Sequence, residues 1–392
     1  MIKNSNHFDY VFLGGGMSSL LLVYRMAGDT FFDDKSILIL DREAKNTNDR
    51  TWSYWEKGAG EWDDILAKKW NKIKFTSTTF DKTLSLGDYH FKSIESSGFY
   101  EKIKRRIASK RNIVTQVTNI TAWKVTPDLV RIMTTAGDFT ASMAFNSILD
   151  ANKLFNNKNY PYLKQHFVGW FIETAEDTFD EEVATFMDFD ITQGGNTRFI
   201  YVLPYGKKKA LVEYTLFSAD LLAYAEYESE IQNYLEKKGI NNYHIYQKEV
   251  GNIPMSCAPL HEHNTENMVF VGSAGGWTKP STGFTFYNSN VMADKIIKGI
   301  KNKDILRQAK PNAKFRLYDM IFIDVLYKRN DLGWAIFTDM FRNNDITLIF
   351  KWLDERTTFG EDIKVMTSIR PLILFTKMAL LRWKDALFAI IK

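Results

Sequence analysis

Three successive glycines, Gly14 to Gly16, end one short apolar run and open a second one with helical spacing. Val11, Phe12 and Leu13 read as a buried strand, and Leu20, Leu21, Tyr24 and Met26 as one side of a helix. A strand, a tight glycine turn and a helix N-terminus point backbone N–H groups and the positive end of the helix dipole at an anion, as a pyrophosphate site requires. Gly14 and Gly16 fill the first two places of the G-x-G-x-x-G pattern, and the small Ser19 stands at the third. Gly15 and Ser18 complete the candidate cofactor turn. A second run, Ile37 to Leu40, ends in Asp41, the acid expected to accept hydrogen bonds from an adenosine ribose, with Arg42 beside it. This βαβ unit points to FAD or NAD.

The remaining classes are narrowed by composition. At 392 residues and 45% hydrophobic, the chain has room for two domains or one large composite fold. A single cysteine, Cys257, excludes a disulfide framework and a multi-cysteine metal site, and six scattered histidines show no ligand spacing, so no metal is expected. A net charge of +4, spread along the chain, gives no footprint for nucleic acid. The opening MIKNSNHFDY has no apolar core, which leads us to expect a cytoplasmic protein. Aromatic residues make up 15% of the chain, enough to furnish a large apolar pocket.

The C-terminal stretch from Pro371 to Lys392 is rich in Leu, Ile and Phe. Lys377, Arg382, Lys384 and Asp385 interrupt it, so it cannot span a bilayer. Such a basic, apolar helix can lie in a membrane interface or pack on its own domain. Between the two ends, ASMAFNSILDANK reads as a strand ending at Asp150. Arg198–Pro204 and Ala210–Phe217 read as antiparallel strands able to roof a pocket. Met268–Val271 reads as a strand leading through a Gly/Ala turn, Pro280 and Gly283 into a helix. With few prolines and no low-complexity linker, the domains are expected to be interleaved.

The segments NDRTWSYW, RFIYVLPY, LVEYTLFS, EVGNIPM and VGSAGGWTKPSTGFTF occur in the order, and close to the wording, of the bacterial lycopene β-cyclases, which the chain resembles over most of residues 8 to 290. The resemblance implies a flavoprotein-hydroxylase-like α/β (mixed α+β) fold. A Rossmann-like FAD-binding domain (1–75, 100–155 and 260–310) would be interleaved with an antiparallel-sheet substrate domain (76–99 and 156–259), followed by a helical C-terminal region (311–392). Two departures stand out: Ser273 replaces an Asp of the wider flavoprotein class, and no clear arginine precedes the helix at Phe99 to Ile107.

That resemblance implies reduced FAD, NAD(P)H as reductant, and lycopene or another polyene as substrate, with peripheral association at the inner membrane surface. The overall reaction is an isomerisation that closes linear ψ ends into β-ionone rings. It needs a proton donor, surfaces that tolerate a carbocation, and exclusion of water. Glu213, set between Leu211, Val212 and Leu216, aligns with the family's acidic motif and is the candidate acid; Tyr214 stands where a second acid often follows. Gly272, Ser273, Pro280 and Gly283 are the candidate flavin contacts of the late segment. Trp52, Tyr54, Trp55, Thr215 and Trp277 are the candidate substrate-pocket residues. Two other readings of the chain are a flavin monooxygenase or polyprenyl reductase of the same fold, and a non-catalytic carrier of polyene or prenyl chains.

Overall fold

The apolar runs at the N-terminus become neighbours in a parallel sheet, where strands covered on both faces need continuous rather than alternating hydrophobicity. In the computed structural model, which describes residues 6–155, 157, 159–385 and 387, His7–Leu13 pairs with Ile37–Asp41 on one side and Gly137–Asn146 on the other, all parallel. Ile113–Val117 extends the sheet beyond Ile37–Asp41, and Met268–Phe270 adds a parallel strand beside the end of Gly137–Asn146. Val130–Thr134 and Ile120–Val125 complete the seven strands in antiparallel pairing. Residues from three distant stretches, 7–41, 113–146 and 268–270, therefore build this sheet.

Its two faces are buried differently. Tyr10, Phe12, Ile37 and Ile39 pack under the helices Met17–Ala27, Ser96–Ile107 and Phe286–Asn302. Val11, Leu13, Leu38 and Leu40 share a core with Val130, Ile132 and Phe139. The first and last of those helices are joined by Ser18 Oγ and Ser289 Oγ at 2.8 Å and by Arg25 Nε to Asp294 Oδ1 at 2.7 Å.

A second seven-stranded sheet runs in the order Tyr243–Met255, Leu163–Thr174, Lys209–Ser218, Thr197–Pro204, Val183–Asp188, Lys72–Ser77 and Phe80–Ser85. All neighbours are antiparallel except Val183–Asp188 with Lys72–Ser77. Lys72–Ser77, which straddles the expected boundary at residue 75, thus pairs wholly in this sheet. A small antiparallel sheet of Thr51–Lys57, Tyr89–Glu95 and Leu66–Trp70 stands apart.

Period-two alternation divides the large sheet between two cores. Val212, Tyr214 and Leu216 lie under the helix Tyr224–Lys237, whereas Leu211 and Phe217 face the C-terminal helices. Those helices run from Ala313–Lys328 through Gly333–Asn343, Ile346–Leu353 and Phe359–Thr367 to Leu372–Leu381. The expected mixed α/β class with a helical C-terminal region is what the chain adopts.

Two local readings need correction. The strand expected to reach Asp150 ends at Asn146, because the Asn146 carboxamide accepts the Ile148 amide at 2.8 Å and turns the chain. The helix expected at Phe99 begins three residues earlier, at Ser96, whose Oγ accepts the amides of Asp49 and Arg50.

Candidate active site

The glycine turn folds as its sequence dictates. Gly14 has φ +94°, a left-handed conformation that a side chain resists, and its amide donates to Leu40 O at 2.8 Å. The Gly15 amide donates to Asp41 Oδ2 at 2.6 Å, and Asp41 Oδ1 accepts the Glu43 amide at 2.8 Å. Asp41 therefore buttresses the turn as well as ending the strand. Arg42 points away and pairs with Glu43 at 3.3 Å. Ser19 is fully buried within the helix layer. The N-terminus of Met17–Ala27 starts at Gly16 without a side-chain cap, leaving its first amides open.

Those amides face a cavity of about 430 Å3 that reaches from the turn to the large sheet. Gly16 and Ser18 form one end of it; Glu213 and Glu249 stand on the sheet side. Gly272, Ser273 and Gly283 of the late segment and Trp52 also line it. Gly283 has φ +72°, and a Cβ there would come within 2.1 Å of Gln165 Oε1. That carboxamide oxygen is buried on the cavity wall with no hydrogen-bond partner. A Cβ on Gly16 would meet only Ser147 Oγ, at 4.0 Å. Open helix amides, an unfilled space at Gly16, the orphaned Gln165 oxygen and the cations Lys45 and Arg50 are together suited to a phosphate-bearing cofactor.

Glu213 lies on an interior strand, so its position on an exposed edge is ruled out. Burial pushes its carboxyl up to about 8, partly opposed by a hydrogen bond that Thr215 Oγ1 donates to Glu213 Oε1 at 2.7 Å, and reinforced by the neighbouring Glu249. Glu249 is itself only 7% exposed and raised by burial, its Oε1 accepting the Thr51 amide at 3.1 Å. Both glutamates are register partners of Gly169, from opposite sides.

The structure does not bring every expected pocket residue here. Thr215 touches the acid rather than the cavity. Along Thr51–Lys57, Trp52 lines the cavity, but Tyr54 is buried against Phe286 at 4.9 Å. Trp55, on the other face of that strand, stacks on Phe350 at 4.7 Å and donates to Asp354 Oδ1 at 2.7 Å. Trp277 and Pro280 border a separate cavity of about 70 Å3 near Cys257. Sequence reasoning missed Glu249, Lys45 and Arg50. A charged residue within the β-patterned EVGNIPM was the available signal for the first. Arg50 stands beside the start of Ser96–Ile107, whose Ser96 amide donates to Arg50 O at 2.8 Å, close to where the absent arginine was sought.

Comparison with known proteins follows the same lines. A family model described as lycopene cyclase protein matches residues 9–380. No curated protein matches the sequence. Among solved structures, a geranylgeranyl bacteriochlorophyll reductase-like protein from Thermoplasma acidophilum is similar over 97% of this chain and 99% of that one, with 12% identity and a TM-score of 0.60. A flavin-dependent brominase is similar over 97% and 100%, with 11% identity and a TM-score of 0.59. The p-nitrophenol 4-monooxygenase from Pseudomonas putida is similar over 95% and 98%, with 13% identity and a TM-score of 0.59. At these identities the likeness is one of fold.

Proposed function

The chain belongs to the lycopene cyclase family, and from that premise we propose that it is an FAD-dependent lycopene β-cyclase, converting the linear ψ ends of lycopene to β-ionone rings. The observation that carries this reading is a buried carboxyl, Glu213, in the same cavity as the open amides of the glycine turn, with burial favouring its protonated form.

Gly16, Ser18, Lys45, Arg50, Gly272, Ser273 and Gly283 would hold the cofactor, with the Asp41 carboxylate bracing the turn. When bound and kept reduced by NAD(P)H, the flavin supplies negative charge next to the cationic stage of ring closure. Glu213 donates its proton to the terminal alkene. The neighbouring double bond then attacks the cation, and the Glu213 carboxylate accepts the proton lost from the ring carbon. Atoms and electrons balance, with no net oxidation. The Thr215 hydroxyl stabilises and orients the carboxylate between these steps. Trp52, Phe167 and Tyr201 offer π faces to the cation and exclude water that would trap it.

The domain division stated above, with its first boundary moved to precede Lys72–Ser77, a cytoplasmic location and peripheral attachment to the inner membrane belong to the same proposal. The exposed Leu372, Ile373, Leu380, Leu381 and Trp383 support membrane attachment. Among the described residues no helix is long and apolar enough to cross a membrane. Residues 386 and 388–392 of the terminal segment lie outside the described residues.

The test is anaerobic incubation of the purified protein with lycopene liposomes, FAD and NADPH, followed by separation of the carotenoids. Monocyclic and bicyclic products with only catalytic consumption of NADPH are expected. Stoichiometric consumption of NADPH would replace this reading with a reductase or monooxygenase.

A further inference from the structure

The cavity at Glu213 is not the only large space on that side of the sheet. A second cavity, of about 280 Å3, lies among the C-terminal helices, and Thr282 lines both. Its walls are mostly apolar and come from successive helices: Phe322 of Ala313–Lys328, Met340 of Gly333–Asn343, Trp352 of Ile346–Leu353, and Phe375 and Ala379 of Leu372–Leu381. Lys279 and Asp319, its charged lining residues, are paired at 2.9 Å, which leaves neither as a free charge for a ligand. The last helix forms a wall of the cavity through Leu372, Phe375, Thr376 and Ala379 while exposing Ile373 at 84% and Leu380 at 69%.

We infer that this second cavity binds the distal part of a linear hydrocarbon chain whose reacting end lies at Glu213, and that Leu372–Leu381 is its point of entry. The inference rests on the cyclase reading for the identity of the reacting end, but the binding of a long apolar chain stands on the cavity itself. Thr282 borders both spaces, so the two cavities adjoin. A cavity with apolar walls and a self-paired ion pair gains by covering an alkyl or polyene chain and offers no unpaired charge to a polar ligand. The exposed apolar residues of the entry helix are where such a chain would leave a lipid phase.

Thr376 is exposed and Ala379 half-buried, so added bulk at either fills the cavity from its outer wall without cutting into the core. The experiment uses the full chain and a fluorescent conjugated tetraene fatty acid as probe. Thr376→Phe/Ala379→Phe is expected to weaken probe binding at least ten-fold, with unchanged circular dichroism and melting temperature, while Glu213→Gln binds as the parent does. In turnover, the double variant should lose activity on the full-length polyene and keep it on an analogue truncated at the far end. Thr376→Phe alone, at an exposed site, should give a smaller loss in the same direction if the double variant folds poorly. Probe binding by a parent that makes no cyclised product, weakened in the double variant, would sustain the cavity and reject the cyclase reading. Parent-like binding by folded variants, alongside normal cyclisation, would overturn the cavity assignment and leave the cyclase reading standing.

Discussion

Glu213 and Glu249 flank Gly169: the middle strand of three pairs that glycine with one glutamate on each side. Gly169 contributes no side chain between them, and a Cβ there would lie 2.7 Å from Leu211 Cδ1 and 3.6 Å from the Glu213 side chain. Two buried carboxyls share one cavity; burial raises both, and Glu249 adds to the cost of charging Glu213, which favours keeping a proton there at neutral pH.

Glu213→Gln should retain flavin and polyene binding and lose about 10²- to 10⁴-fold in turnover, the range for removing a general acid. Glu213→Asp should fall between, because the shorter side chain withdraws the carboxyl from the alkene. Carotenoid product formed by each variant, with reduced flavin verified in the same sample, decides this; a near-parental rate in Glu213→Gln would assign the proton to another donor.

The sign of the pH dependence follows from the direction of the shift. A general acid works only while protonated, so turnover should decline as pH rises through about 8. The folded state also holds this proton at pH values where the unfolded chain releases it, so stability should fall as pH rises from the ordinary 4.5 towards about 8. Urea midpoints across that window should drop less in Glu213→Gln than in the parent.

Two neighbours should move that limb in opposite directions. Glu249→Gln removes a repelling carboxylate and should lower the apparent value by up to about one pH unit. Thr215→Val removes the hydrogen bond that favours the charged form and should raise it, at a cost of about 1 kcal/mol for the lost bond. Equal pH profiles in the two variants would show that neither group faces the titrating acid.

Glycine variants separate folding from cofactor binding. Gly14→Val places a side chain at φ +94° and a Cβ 2.3 Å from Ser147 Oγ, so both stability and flavin content should drop. Gly16→Val meets nothing nearer than 4.0 Å and should keep the parent's melting temperature within a few degrees while losing flavin. Flavin content by absorbance, measured beside thermal unfolding, distinguishes the two.

Membrane attachment is best probed without removing the terminal helix, because Arg382 forms a bidentate pair with Asp324 at 2.7 and 2.9 Å and Met378 is buried. Ile373→Asp/Leu380→Asp should leave folding intact and reduce flotation with anionic liposomes several-fold. Unchanged flotation would move the contact to another surface.

Much of this arrangement was legible in the sequence. Buried parallel strands announce themselves as unbroken apolar runs, which placed Ile37–Leu40 and the glycine turn correctly. The strands carrying Arg198–Pro204 and Ala210–Phe217 were equally plain, each found to extend one residue further at one or both ends. Glu249 was not legible as a partner of Glu213, since their proximity depends on register through a third strand and not on spacing. Trp52, Tyr54 and Trp55 show the limit of composition: adjacent aromatics are divided between cavity and two cores by strand alternation and by what lies across from each.

The first sheet has a consequence for the order of assembly. Its strands come from residues 7–41, 113–146 and 268–270, and the late segment that completes the cavity follows Met268–Phe270. During synthesis the earlier strands can pair with one another, but the edge reserved for Met268–Phe270 stays open until that stretch leaves the ribosome. An unpaired strand edge beside exposed apolar residues invites association with other chains. Nascent chains stalled before residue 268 should therefore depend on chaperones far more than the finished protein.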